Sequence, residues 1–324
     1  MNKNYNAFGH LPALRPFVVS LFCSFLIAIS AGVQAQPDHA YQQILDRGVE
    51  AGIEAGQLDI LLERAQNRGL DPSDLARLTE PPIQLAERNL PYQAVIQKSM
   101  EGLAKRVPTH SIQQVLEDMS RGMIRSADLV DPWLERSEVH ALVERGRGNR
   151  EMSNAMDDFR RQLIENTSYA LQHEQNGEYL REFLDEMIAA RTTERSGMGS
   201  IASAIRTLPD LPAPQDQPET RSRLLIRALN AGFSPGQIQQ LPDAFHSAQF
   251  RSQLPVENIA RGMEQQMQRG IPADHILDNI FKGNVGGGPP GFTPPGLEGR
   301  GEGGRGRGRR PDVPPGNGGP PDDM

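Results

Sequence analysis

Six histidines that follow residue 35 are the side chains best suited to metal binding or acid–base chemistry. They are His39, His110, His140, His173, His246 and His275. No two of them form the i,i+4 pair or the HExxH pattern with which one helix binds zinc. His110 and His275 stand at matching points of two similar segments. We interpret them as surface residues near helix starts, not as a shared ligand site.

The carboxylates and the glycine-rich segments also lack the spacing of a known site. Acids are grouped at Asp157 and Asp158 and again at Glu182, Asp185 and Glu186, where they stand among arginines. That arrangement is typical of solvated helix faces, not of a catalytic acid–base pair. Residues 196–200 (Ser-Gly-Met-Gly-Ser) lack the Lys-Ser/Thr end of a phosphate-binding loop, and no Gly-x-Ser-x-Gly pattern follows a predicted strand, as a nucleophile elbow requires. We therefore predict no catalytic residue, no metal ligand and no cofactor, which leaves enzymatic activity uncertain and weighs against it.

An arginine–glycine segment near the C-terminus has the chemistry of an interaction surface. Its arginines are Arg300, Arg305, Arg307, Arg309 and Arg310. Guanidinium groups on a flexible backbone bind phosphate and carboxylate surfaces. The tail also holds five acids, so a neutral, solubilising tail is the alternative. We expect the partner to be an unidentified protein or an envelope polyanion, and we expect no nucleic acid.

The N-terminal 35 residues have the three zones of a cleavable secretory signal. Lys3 and Arg15 give the start a positive charge, and residues 17–33 form a nearly unbroken apolar run. Val33-Gln34-Ala35 then supplies small residues at the −3 and −1 positions. We predict cleavage after Ala35 and a periplasmic or secreted product without a transmembrane span. Retention as a membrane anchor is the alternative, because a run of 17 residues lies at the short edge of a span.

Cleavage would also change the chemistry of the chain. Cys23 is the only cysteine, so the mature protein would have no disulfide, no catalytic thiol and no thiolate metal site. The net charge would move from −7 to −9, because Lys3 and Arg15 are lost and no acid is lost. Such an acidic product has no general attraction to nucleic acid or anionic lipid.

Composition predicts an all-α protein with a disordered C-terminal tail. Aromatic residues are only 5% of the chain, whereas helix-favouring Gln, Arg, Glu, Ala and Leu are abundant. Residues 283–324 contain 15 Gly and 9 Pro among 42 residues. A segment of that kind buries too little apolar surface to offset its ordering entropy. Residues 209–218 (PDLPAPQDQP) are a second proline-rich stretch, which we interpret as a linker.

Two distant segments share three landmarks in register. The first has Gly69-Leu70-Asp71-Pro72, Leu90-Pro91 and Val107-Pro108; the second has Gly232-Phe233-Ser234-Pro235, Leu254-Pro255 and Ile271-Pro272. Each landmark predicts a tight corner between helices. At the first landmark of each segment the corner consists of a left-handed glycine, an apolar residue that folds back, an N-cap, and a proline in the first turn. Apolar residues then recur at helical spacing: Ile112, Val115, Leu116 and Met119 after one corner, and Ile259, Met263 and Met267 after another. We predict an internal duplication.

These observations combine into one predicted layout. It comprises a signal (1–35), a helical domain (36–206) with the first repeat unit (about 58–126), a linker (207–219), the second repeat unit (220–282) and the tail (283–324). The fold is expected to be a multi-helix bundle or a short α-solenoid-like array built from two related helical units. Our first hypothesis for the function is a non-enzymatic, exported interaction or scaffold protein of the bacterial envelope. The alternatives are a periplasmic hydrolase with carboxylates between the repeats and a holdase-like chaperone.

Overall fold

The computed structural model describes residues 37–173, 176–213 and 219–286. These residues form α-helices and no strand, which confirms the all-α prediction. The predicted signal and the greater part of the predicted tail, with its five arginines, lie outside the described residues. The chain divides into two compact units between Ser120 and Arg121, within one long helix.

The first unit contains four helices and the start of the fifth. They are α1 (Pro37–Glu50), α2 (Ala55–Asn67), α3 (Pro72–Glu87), α4 (Gln93–Ala104) and α5 (Thr109–Leu134). Helix α2 buries Leu58, Leu61, Leu62 and Ala65, a stripe with the i, i+3, i+4, i+7 spacing of an amphipathic helix. It packs against α1, α3 and α4, while α3 also packs against α1 and α4.

The second unit begins with the remainder of α5. Its other helices are α6 (Ser137–Gly146), α7 (Met152–Gln172), α8 (Gly177–Ala189), α9 (Thr192–Arg195), α10 (Met198–Thr207), α11 (Glu219–Asn230), α12 (Pro235–Gln239), α13 (Leu241–Ser252), α14 (Val256–Gln268) and α15 (Ala273–Phe281). Helix α10 lies near the centre, packed against both α7 and α12. Large side chains such as Phe159, Phe183 and Phe245 are almost completely buried.

The predicted corners are present with the expected backbone geometry. Gly69 and Gly232 have φ of 75° and 82°, in the left-handed region that favours glycine. The next amides, of Leu70 and Phe233, donate to carbonyls five residues back, as in a Schellman turn. Beyond the turn, the Asp71 carboxylate accepts from the Asp74 amide at 2.9 Å and caps α3. These local predictions are confirmed.

Non-glycine residues occupy the left-handed position at three other corners. Asn89, Arg106 and Gln253 have φ of 54°, 55° and 57°. Asn89 and Arg106 precede Leu90 and Val107, whose amides complete the same turn as Leu70. At Gln253 the turn is different, because the Leu254 amide donates to the Ser252 hydroxyl at 3.3 Å. The corner is therefore a recurring backbone motif, and glycine is not needed at every occurrence.

The two segments that share landmarks also share several helix pairings. Helix α2 packs against α4 as α11 packs against α14, and α1 packs against α3 as α10 packs against α12. They differ where α3 is one helix of 16 residues, whereas its counterpart is split at Gln240 into α12 and α13. A common origin of the two segments stays a prediction.

The sequence predicts that Asp131-Pro132 opens a helix and that Gly177 ends one, and both predictions are wrong. Asp131-Pro132 does not open a helix, because α5 continues through both residues to Leu134. The Asp131 carboxylate is occupied by Arg160, with N–O distances of 2.7 and 2.9 Å, and does not act as a cap. Gly177 does not end α7 but begins α8, where the Asn176 side chain accepts from the Glu178 amide at 3.0 Å.

Candidate interaction site

The side chains that the sequence singled out for chemistry lie apart on the surface. All six histidines, from His39 to His275, are exposed. Among the grouped acids, Asp158 pairs with Arg150 and Arg161, and Asp185 pairs with Arg136. Within the part of the chain that the structure describes, no three His, Cys, Asp or Glu side chains are placed to hold a metal ion.

The best candidate for a binding site is a groove between α4 and the first turns of α5. We call it the α4–α5 groove, and its volume is about 250 Å³. Its lining includes Lys98, Glu101, Gly102, Lys105, Ile112 and Val115. Charged side chains from α4 and the residue after it stand beside apolar ones from α5, so the groove presents both kinds of chemistry.

Gly102 sets how closely the two helices approach each other in this groove. A Cβ atom at position 102 would lie 2.7 and 2.9 Å from the Cγ1 and Cδ1 atoms of Ile112. Any larger residue would therefore push Ile112 out of its place. Ile112 is only 4% exposed and belongs to the core of the first unit.

Val115 is the apolar residue of this groove that remains uncovered. The sequence places it on the same helical face as Ile112, Leu116 and Met119, but its side chain is 42% exposed. Ile112 and Leu116 of that face are buried. The apolar face predicted for α5 is thus only partly buried, and Val115 remains available for contact with another molecule.

Two lysines bind one carboxylate at the charged side of the groove. Lys98 and Lys105 donate to the Glu101 carboxylate at 2.9 and 2.5 Å. The hydrogen bond from Lys105, followed by that from Lys98, lowers the pKa of Glu101 to about 2. Two ammonium groups against one carboxylate leave this side of the groove with a net positive charge.

This groove was not predicted from the sequence, although one signal was visible there. After residue 35 the chain has three lysines, at positions 98, 105 and 282, among far more numerous arginines. Two of the three stand seven residues apart with Glu101 between them. On a helix that spacing places both ammonium groups near the same carboxylate.

Two other grooves in the first unit are lined by side chains that form ion pairs. Between α1 and α3, the Arg47 guanidinium donates to Glu80 at 2.6 Å and to Glu87 at 3.0 Å. The hydrogen bond from Arg47 lowers the pKa of Glu80. The arginine therefore has two acid partners already, and its arrangement is that of a clamp between helices.

The second unit contains a stacked cluster formed by side chains of α7, of the residue after it and of α10. The Arg206 guanidinium carbon lies 3.0 Å from the centre of the Tyr169 ring, and the His173 ring centre lies 3.9 Å away. The Tyr169 hydroxyl donates to Asp210 at 3.0 Å. Burial, followed by the hydrogen bond to Asp210, raises the pKa of Tyr169.

Comparisons with known proteins leave the site to be interpreted from its own geometry. Among the described residues, no helix combines the length and apolar character needed to cross a bilayer. No protein-family model, no curated protein and no solved structure matches this chain.

Proposed function

We propose that this chain is an exported helical interaction protein of the bacterial envelope that binds a protein partner through the α4–α5 groove. The observation that carries the proposal is the uncovered Val115 beside Lys98 and Lys105. Protein-binding surfaces have an apolar centre and a polar rim, and Val115 with the two lysines has this arrangement on a small scale. Export is part of the proposal and depends on the predicted signal.

The size of the groove favours a protein partner over a small ligand. Pockets for whole small molecules have volumes of about 300–1,000 Å³ and enclose most of the ligand. The α4–α5 groove measures about 250 Å³ and is open to solvent. It accommodates one or two anchoring side chains of a larger molecule, as when a helix docks into a groove.

Site-specific photocrosslinking in the exporting cell tests the proposal. A photoreactive amino acid replaces Val115 in the full chain, and the matched control replaces Gln114, an exposed neighbour outside the groove. Binding at the groove predicts a discrete crosslinked product at position 115 that is absent or weak at position 114. Equal labelling at both positions, or none at either, would contradict the proposal.

A hydrolase is the alternative that one contact favours. Ser111, which lines the groove, has its Oγ 3.1 Å from Nε2 of His110. A hydroxyl beside an imidazole is the first part of a nucleophile–base arrangement, which also requires a third group to orient the base. No hydrogen bond to the other nitrogen of His110 is found within the described residues.

Activity against a simple activated ester distinguishes this alternative. A hydrolase that uses Ser111 loses nearly all turnover of p-nitrophenyl acetate in Ser111→Ala and His110→Ala. The control His275→Ala, at the matching corner of the other segment, retains it. Turnover that is the same in all four proteins would eliminate Ser111 as a nucleophile.

A further inference from the structure

The first unit carries an exposed ridge whose chemistry is complementary to the groove. We call it the α2 ridge, and it consists of Asp59, Ile60 and Glu63 on the outer face of α2. The Ile60 side chain is 47% exposed, although α2 buries its other apolar face completely. The ridge presents an isoleucine between two acids, and the groove presents a valine beside two lysines. The two surfaces therefore have opposite charges around an apolar side chain.

The acids of the ridge differ in how far they are already engaged. Asp59 accepts a hydrogen bond from the Tyr41 hydroxyl. Burial, followed by this hydrogen bond, raises the pKa of Tyr41 to about 12. Glu63 is exposed and has no hydrogen bond or ion pair with another described residue. Its carboxylate is therefore available to a cation from outside the chain.

We infer that the occupant of the α4–α5 groove is a second copy of this chain, which inserts Ile60 beside Val115 and places Glu63 against Lys105. The inference rests on the proposed function, because it names the partner of the same groove. Lys105 is the more exposed of the two lysines, 67% against 46% for Lys98. Its ammonium group has three N–H donors, so it can bind a partner's carboxylate while it keeps the hydrogen bond to Glu101. Lys98 and Lys105 are seven residues apart, which is about 10 Å along the helix axis. Their long side chains can bend toward each other, so that both ammonium groups reach acids that are one helical turn apart.

The contact must be local, because the overall charge opposes it. The exported chain would carry a net charge of −9, so two copies repel each other at long range. At physiological ionic strength that repulsion is screened beyond about 8 Å, whereas a close lysine–glutamate pair is affected less. Association is therefore expected to be weak and to require concentrated protein.

Charge reversal on each surface provides the test. The mature full chain and the variants Lys105→Glu and Glu63→Lys are compared by sedimentation velocity over a series that reaches high-micromolar concentration. The natural chain is expected to self-associate, and each variant alone to associate about tenfold more weakly. An equimolar mixture of the two variants restores association, because the reversed groove matches the reversed ridge and the two unchanged surfaces match each other.

Two controls separate this contact from changes in folding or in general charge. Lys282→Glu removes a lysine from an i,i+4 pair of similar geometry, with Asp278 at 2.6 Å, outside the groove, and should associate like the natural chain. Ile60→Glu introduces a charge at an exposed position, so the far-ultraviolet circular dichroism stays unchanged while association is lost.

The outcomes also separate this inference from the proposed function. A natural chain that stays monomeric throughout the series, or a mixture that does not restore association, overturns the inference. If position 115 then still crosslinks to a different polypeptide, the proposed function survives without self-association. If neither association nor a specific crosslink is observed, both proposals are wrong.

Discussion

The Gln266 carboxamide of α14 donates to the Val285 carbonyl, at an N–O distance of 3.2 Å, and so binds the residues that follow α15. The same side chain accepts from the Asn279 amide group at 3.0 Å. Gln266 is completely buried, so its hydrogen bonds are made away from solvent. Gln266 thus connects α14 both to α15 and to Val285, from which the chain continues toward the tail.

Replacing this glutamine should destabilise the second unit. Gln266→Leu leaves the Asn279 amide and the Val285 carbonyl without this partner, which is expected to cost about 1–3 kcal/mol in the free energy of unfolding. The control Gln265→Leu, at an exposed position of the same helix, should change it by less than about 0.5 kcal/mol. Urea denaturation measures both variants, and equal effects would contradict a special role for Gln266.

Gly262 is expected to be needed for the same contact. A Cβ atom at this position would overlap the Val285 carbonyl, whose backbone cannot yield as a flexible side chain does. Gly262→Ala should therefore cost about 1–3 kcal/mol, in the range of other overpacked cores. An alanine variant as stable as the natural chain would show that residues 284–286 do not lie across α14.

A pair of glycines in the first unit tests the corner geometry. Gly69 has φ of 75° and no atom within 4 Å of the place a Cβ would take, so Gly69→Ala changes only backbone strain and should cost about 1 kcal/mol. Gly56 lies in the first turn of α2, also with open space around it, and Gly56→Ala should stabilise by about 0.5–1 kcal/mol. Effects of the same sign, measured by thermal unfolding, would contradict the assigned conformation.

The Arg47 clamp predicts a defined pH dependence. Because Arg47 lowers the pKa of Glu80, the pair stabilises the folded chain above the unfolded pKa of about 4.3 and loses this contribution as the pH falls through the lowered folded pKa. All three side chains are between 41% and 47% exposed, so Arg47→Gln should cost only about 0.5–1 kcal/mol at neutral pH.

The difference between the natural chain and Arg47→Gln is therefore expected to shrink between pH 7 and pH 3, as measured by urea midpoints. Arg77→Gln is the control, since Arg77 makes a single longer pair with Asp74 at 3.7 Å. A cost for Arg47→Gln that is constant over this range would show that the two acids contribute nothing through their charge.

The single tryptophan reports on the core of the second unit. Trp133 is 3% exposed, its indole N–H donates to the Leu184 carbonyl at 2.9 Å, and its ring lies 6.4 Å from that of Phe159. Phe159→Ala should lower stability by about 3–5 kcal/mol in fluorescence-detected unfolding. The control Phe250→Ala, at a position that is 81% exposed, should leave the midpoint nearly unchanged. Similar losses in both variants would contradict the assigned burial.

The predicted export can be tested independently of the fold. Secretion with cleavage after Ala35 yields a product that begins at Gln36 and lacks Cys23, the only thiol of the chain. Intact-mass measurement and thiol labelling of the protein recovered from the periplasm or medium test this. A recovered chain that keeps Met1 and a reactive thiol would indicate the anchor alternative instead.

Much of the local structure was predictable because its causes are local. The N-cap of Asp71 and the left-handed turns at Gly69 and Gly232 depend on residues within one or two helical turns. The end of α5 was mispredicted because a distant residue intervenes: Arg160 takes the carboxylate that would have capped a new helix at Asp131. Local propensity also gave no indication of where the two similar segments differ. Helix α3 continues through Pro81 and Pro82, whereas its counterpart is divided at Gln240 into α12 and α13.

By itself, the sequence determined the all-α class, the helical faces and several of the corners, because helix propensity, apolar spacing and turn chemistry act over short stretches of chain. It did not determine which part of a face stays uncovered. That Ile112 is buried while Val115 on the same face stays exposed follows from how closely α4 and α5 approach at Gly102. Only the tertiary structure decides such a feature, because burial depends on which helices meet and not on the residues of any one of them.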